Sequence, residues 1–168
     1  MLKSIEKEKR LVDLIQLIDE GKLIIPLSKD CFRWDKETSS KFIESLILGF
    51  PVTEIYTWQQ CENQEVLDGC QRLLTLYFFV KNRFLMMRKR VFLNDYLNDF
   101  YYPVNSLDQL LEKHELFEKF SLQGLSFSDK LNGCGYSGLD GGFKNNLDFA
   151  KIRIVNIIPK STIYKMLN

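Results

Sequence analysis

The sequence predicts an α+β domain, and three observations predict it. Apolar residues recur at helical spacing over residues 11–18, 42–47 and 73–80. Short β-rich runs lie at 52–58, 65–67 and 151–158. The composition, 45% hydrophobic and 13% aromatic over 168 residues, suits one well-packed domain and excludes intrinsic disorder.

In chain order, Leu11, Val12, Leu14, Ile15, Leu17 and Ile18 form the first helical stripe, which Gly21 stops. Leu23, Ile24 and Ile25 read as a short buried strand ending at Pro26. Residues 27–34 are irregular and finish in Phe32, Arg33 and Trp34. Cap-type residues at 35–39 start a second helix, with Phe42, Ile43, Leu46 and Ile47 on one face and Gly49 at its close. Two strands, 52–58 and 65–67, follow, joined by the polar stretch 59–64. A third helix begins after Gly69 and buries Leu73, Leu74, Leu76, Tyr77 and Val80. Further on, 84–93 is expected to hold one or two strands, 107–120 a helix, and 132–146 a glycine-rich loop. Residues 151–158 return to the sheet as a strand. The expected division is a core at 1–83, with 84–168 as the remainder of the same domain, carrying an insertion and the returning strand.

Several function classes are excluded early. A net charge of +1 gives no global drive toward DNA or an anionic membrane. No apolar run approaches the roughly 20 residues of a membrane span. The charged start carries Glu6, Glu8, Asp13, Asp19 and Glu20, which no signal-peptide core tolerates. Cys31, Cys61, Cys70 and Cys134 form no Cys-x-x-Cys pair, so reduced thiols in a cytoplasm are expected. His114 is the single histidine and sits among Glu112, Lys113 and Glu115, which reads as a solvated helix residue. A nuclease centre needing two histidines is excluded within this chain.

The strongest local constellation is Asp68, Gly69, Cys70, Gln71 and Arg72, behind the apolar Val66 and Leu67. A strand delivers Asp68, Gly69 makes the turn, and the next three residues open a helix. A helix start presents N–H groups and a positive dipole end, and so binds anions. Gly69 lets the backbone approach a phosphate closely. Arg72 can add a charge-assisted bond. Asp68 has three open readings: a cap, a Mg²⁺ ligand, or a group orienting an attacking atom. Spacing alone also fits a plain capped helix with Arg72 on its surface.

Further motifs carry a resemblance. Ile25 and Pro26 are followed eight residues on by Trp34 and Asp35. Then come Glu44 and Ser45 in a helix ending at Gly49, Phe50 and Pro51, and then Asp68, Gly69, Cys70, Gln71, Arg72. This order resembles the ParB/sulfiredoxin-like domain at the N-terminus of GmrSD-type, modification-dependent restriction systems. That family reads Ile-Pro-x-aromatic-Gln-Arg-x-aromatic-x-Trp, a Glu-Ser-aliphatic helix ending in Gly-x-Pro, and Asp-Gly-Gln-Gln-Arg. The resemblance is strong over residues 11–80 and resumes at 122–129 and 152–168. It implies a ParB/sulfiredoxin-like fold, with a small mixed sheet packed with helices. It also implies a nucleoside-triphosphate-binding, often hydrolysing, regulatory module of a restriction and phage-defence system. Implied with it are Mg²⁺ at Asp68, a catalytic role for Asp68, and DNA contacts through a separate domain or subunit. The nucleotide-binding set so implied is Gly69, Cys70, Gln71 and Arg72, faced by Lys29, Arg33 and Trp34.

The chain departs from the family in places. Lys29 and Asp30 stand where Gln-Arg is usual, and Cys70 stands for a glutamine. Met166 occupies an arginine position in Ile163, Tyr164, Lys165, Met166, Leu167, Asn168, which resembles the start of a longer family segment. A fragment or a truncated relative is therefore expected, and the rival reading is an inactive scaffold that binds protein or DNA. Gly69, Cys70, Gln71 and Arg72 also resemble the sulfiredoxin motif, which would make Cys70 a reactive thiol.

Weaker signals remain. The bare pattern Gly133, Gly135, Gly138 follows no strand and opens no helix, so a surface loop is expected. Lys81, Arg83, Arg88, Lys89 and Arg90 form the one basic cluster, a weak candidate for contact with a DNA backbone. Tyr96, Phe100, Tyr101 and Tyr102 suit base stacking or, more simply, a core or subunit interface.

Overall fold

The computed structural model describes residues 3–27, 32–92, 95, 97 and 106–159. Strand β1 (Lys3–Arg10) runs directly into helix α1 (Leu11–Asp19), and the short β2 (Leu23–Ile24) follows. Helix α2 (Lys36–Ile47) leads to the hairpin β3 (Ile55–Gln60) and β4 (Asn63–Asp68), then to helix α3 (Cys70–Val80). The short strands β5 (Phe84–Leu85) and β6 (Phe117–Glu118) flank helix α4 (Leu107–Leu111) in sequence. Helix α5 (Gly141–Asp148) precedes the last strand, β7 (Lys151–Ile158). The α+β expectation holds.

One mixed sheet of five strands runs in the order β1-β7-β3-β4-β2, and β5 pairs with β6 in a second, small sheet. β7 lies antiparallel to β1 and parallel to β3, whereas β4 is antiparallel to β3 and parallel to β2. Alternation decides which side meets the core. Ile55 and Thr57 of β3, Val66 of β4, and Ile152 and Ile154 of β7 are buried. Tyr56 and Trp58 point the other way and remain part-exposed. A polar ladder closes one end of the buried face: Thr57 Oγ1 lies 3.1 Å from Asn156 Oδ1, and Asn156 Nδ2 donates to Gln59 Oε1 at 2.8 Å.

The three main helices end alike. In each, the second residue past the cap donates its N–H back across the last turn: Lys22 to Leu17 O (2.9 Å), Phe50 to Ser45 O (2.8 Å) and Arg83 to Phe78 O (2.8 Å). The residue before it sits in the left-handed region, as Gly21, Gly49 and Asn82 do. α2 starts where cap residues cluster, with the Asp35 carboxylate accepting the Thr38 N–H at 2.7 Å.

Four expectations are corrected. The polar stretch 59–64 is strand almost throughout, because β3 and β4 turn over at Cys61 and Glu62 alone. Residues 87–92 are a 3₁₀ turn rather than strand, leaving only Phe84 and Leu85 paired. The helix expected over 107–120 stops at Leu111; His114–Leu116 form a 3₁₀ turn, and Phe117 and Glu118 pair with β5 as strand β6. The loop at 132–146 contains the 3₁₀ turn 136–138 and most of α5, which Asp140 caps through the Phe143 N–H at 2.9 Å. α3 is also buried more fully than one stripe requires: every residue from Leu73 to Phe79 is inside. Lys29, Asp30, Cys31, Tyr96, Phe100, Tyr101, Tyr102 and residues 160–168 lie outside the described residues.

Candidate functional site

The strand–turn–helix at 66–72 is present as read. β4 ends on Asp68, Gly69 turns the chain at φ 98°, and α3 starts at Cys70. Glycine suits this turn, because an L side chain is strained at φ 98° and an added Cβ would lie 2.4 Å from Ile55 Cδ1, which would have to shift. With glycine as N-cap, no side chain of the cap residue closes over the first turn of α3. A cleft of about 220 Å³ opens there, between Leu67, the turn and Trp34.

The side chains around that cleft have definite partners. Arg72 is largely buried, its side chain 18% exposed, and reaches back toward the segment before β3. Its Nη2 donates to Glu54 O at 3.0 Å and to Asp68 Oδ2 at 3.1 Å, and its Nη1 bonds Thr53 Oγ1. Asp68 stays on the rim, its side chain 71% exposed. The Gln71 amide oxygen accepts two backbone N–H groups of the facing wall, from Arg33 at 2.7 Å and Trp34 at 3.2 Å. Cys70 is half-buried and packs against the core.

The facing wall is held from its other side as well. Phe32 is buried and meets Phe78 and Phe84 edge-on at 5.2 and 5.7 Å. Trp34 meets Phe42 at 5.4 Å. Arg90 donates to Trp34 O at 2.6 Å and Leu85 O at 3.2 Å, with its guanidinium carbon 4.9 Å from the Phe32 ring centroid. Burial draws its pKa below the usual arginine value, and the charge of Asp35 opposes that.

The residues of the basic cluster differ in their surroundings. Arg90 turns inward, Lys81 pairs with Asp19 at 2.9 Å, and Arg88 reaches Met86 Sδ at 3.6 Å on the exposed surface. Arg83 is half-buried, and Lys89 lies in the same 3₁₀ turn as Arg88 and Arg90. His114 is exposed, as expected, although in a 3₁₀ turn rather than a helix. Among the described residues, no three His, Cys, Asp or Glu side chains cluster so as to hold a metal ion by protein ligands alone. No described helix is long and apolar enough to cross a membrane.

One residue carries a part that chemistry at 66–72 does not reveal. Glu44, buried in α2, accepts N–H bonds from Ser126 (2.9 Å), Phe127 (2.9 Å) and Ser128 (2.7 Å). Its neighbour one turn earlier, Ser40, accepts the Gln123 N–H at 3.1 Å. Two of the sequence segments that carry the family resemblance thus meet in space.

No curated protein and no solved structure matches the chain. A family model does match, over residues 11–166, described as the N-terminal domain of the GmrSD restriction endonuclease. With motif order, an α+β fold and a match over nearly its whole length, the chain belongs to the GmrSD N-terminal domain family.

Proposed function

We propose that this domain is a nucleoside-triphosphate-binding regulatory module of a DNA-restriction and phage-defence system. The observation that carries the reading is the cleft over the first turn of α3, walled by Trp34 and Leu67 and rimmed by Asp68. The dipole of this eleven-residue helix favours an anion there. Arg72, anchored behind the turn, adds positive charge, and an entering phosphate would take the place that Asp68 holds at Nη2. At about 220 Å³ the cleft is smaller than the roughly 300–1,000 Å³ of whole-ligand pockets, so it suits the phosphates rather than the base. Mg²⁺ commonly binds through one or two protein carboxylates together with substrate phosphates, and the exposed Asp68 fits that demand alone.

A second reading has its own support. Arg72 and Gln71 already spend polar atoms on backbone within the chain, which a scaffold without nucleotide would also require. Calorimetry with ATP, GTP and tripolyphosphate, with and without Mg²⁺, separates the two. The nucleotide reading expects saturable binding that Arg72→Ala weakens about 10- to 100-fold, as loss of a charged contact should. Absence of binding by the unmodified chain, or equal affinity in the variant, would leave the scaffold.

A further inference from the structure

We infer that Arg90 is a positioning residue that sets the facing wall of this cleft, an inference that rests on the nucleotide reading above. The wall's backbone is pinned from two directions by side chains distant in sequence. Gln71, on the first turn of α3, takes the N–H groups of Arg33 and Trp34. Arg90, from the 3₁₀ turn after β5, takes the carbonyl of Trp34. The peptide units around Trp34 are therefore bonded on both sides, and Trp34 is the wall residue that lines the cleft.

Arg90 is built for this task. Its second bond, to Leu85 O, ties the guanidinium to the strand that packs Phe84 against Phe32. The flat cation lies over both rings, 4.9 Å from the centroid of Phe32 and 5.8 Å from that of Phe84. Nη2 alone donates to both carbonyls while the guanidinium plane lies over the aromatics; a lysine ammonium can reproduce the bonds but not the planar stacking. Burial also costs an arginine part of its hydration, a cost that a surface contact would not require. The residue thus connects the small sheet to the cleft: β5 fixes Arg90, Arg90 fixes Trp34, and Trp34 faces the start of α3.

The test uses the full chain carrying Trp58→Phe, so that Trp34 is the only tryptophan. Arg90→Met, Arg90→Lys and Gln71→Met are compared with that parent by Trp34 emission, acrylamide quenching and calorimetric titration with ATP. Arg90→Met should red-shift and expose Trp34 and weaken ATP binding about tenfold, the equivalent of one lost hydrogen bond. Arg90→Lys should recover part of both effects, and Gln71→Met, which frees the wall from the other side, should reproduce them. If Arg90→Met does not fold, Arg90→Lys and Gln71→Met carry the comparison. Unchanged Trp34 emission and ATP affinity in folded Arg90 variants would overturn the inference. A parent that binds no ATP while Arg90→Met still exposes Trp34 would sink the nucleotide reading and leave the clamp standing.

Discussion

Gly69 shows how little freedom a single residue of this site has. Its φ of 98° is left-handed, where an L side chain is strained by about 1–2 kcal/mol. The missing Cβ also makes room for Ile55 Cδ1, which is buried at the centre of the sheet. Gly69→Ala must therefore strain the turn and push Ile55 from its place. A loss of about 2–4 kcal/mol is expected in urea denaturation. An Ala variant as stable as the parent would show that the turn relaxes. Glycine at this point was legible from sequence, because a strand end followed by a helix start needs such a turn. The partners of the next residues were not legible. Gln71 and Arg72 look like phosphate ligands in a motif, yet each spends bonds on backbone 18 to 38 residues away. Such long-range bonds depend on which segments the fold brings together, and no local spacing encodes that.

Among the elements, the regular helices were the readable part. α1, α2 and α3 combine a helical stripe with a left-handed stop at Gly21, Gly49 or Asn82, and both signals are local. β1 was unreadable because seven of its eight residues are polar, as suits a sheet edge, and only pairing with β7 makes it a strand. The loop at 122–128 was unreadable for a different reason: its anchor is a carboxylate in α2. Glu44 accepts three of its N–H groups, and bonds to a charged acceptor are the stronger kind. Glu44→Ala should cost about 1–3 kcal/mol, since the half-exposed loop can turn its freed donors to water. Glu44→Gln keeps one carbonyl oxygen and should lie between. The specific readout is amide exchange at Ser126, Phe127 and Ser128, which should accelerate while the α3 amides stay protected. Uniform acceleration across the molecule would instead mark Glu44 as a general core residue.

At the scale of the whole molecule, Tyr77 joins three helices at one point. Its ring is fully buried in α3, and its hydroxyl lies 3.0 Å from Asp19 Oδ1 of α1 and 3.1 Å from Asp108 Oδ1 of α4. Burial, then the hydrogen bond to Asp19, hold its pKa far above the ordinary phenol value. Tyr136, bonded to Asp148 at 2.8 Å, is pushed up to about 12, again chiefly by burial. Both folded values are raised, so the folded state keeps its protons where the unfolded chain loses them. Below pH of about 10 the phenols are protonated in both states and add no pH dependence. Above it the unfolded chain ionises first, and each phenol removes about 1.4 kcal/mol of stability per pH unit until its folded pKa is reached. Tyr77→Phe separates the two effects. At pH 7 it should be less stable by about 1–2 kcal/mol, because Asp19 and Asp108 lose the single phenolic hydrogen that lies between them, although Asp19 keeps Lys81 at 2.9 Å. Between pH 10 and 11.5 its stability should fall less steeply than the parent's by about one proton, so the two curves converge. Denaturant unfolding across that range reads the slopes directly, and parallel curves would show that the phenol ionises alike in both states. Convergence would show that the buried Tyr77 hydroxyl carries its own share of the loss of stability at alkaline pH, independent of any ligand at the cleft.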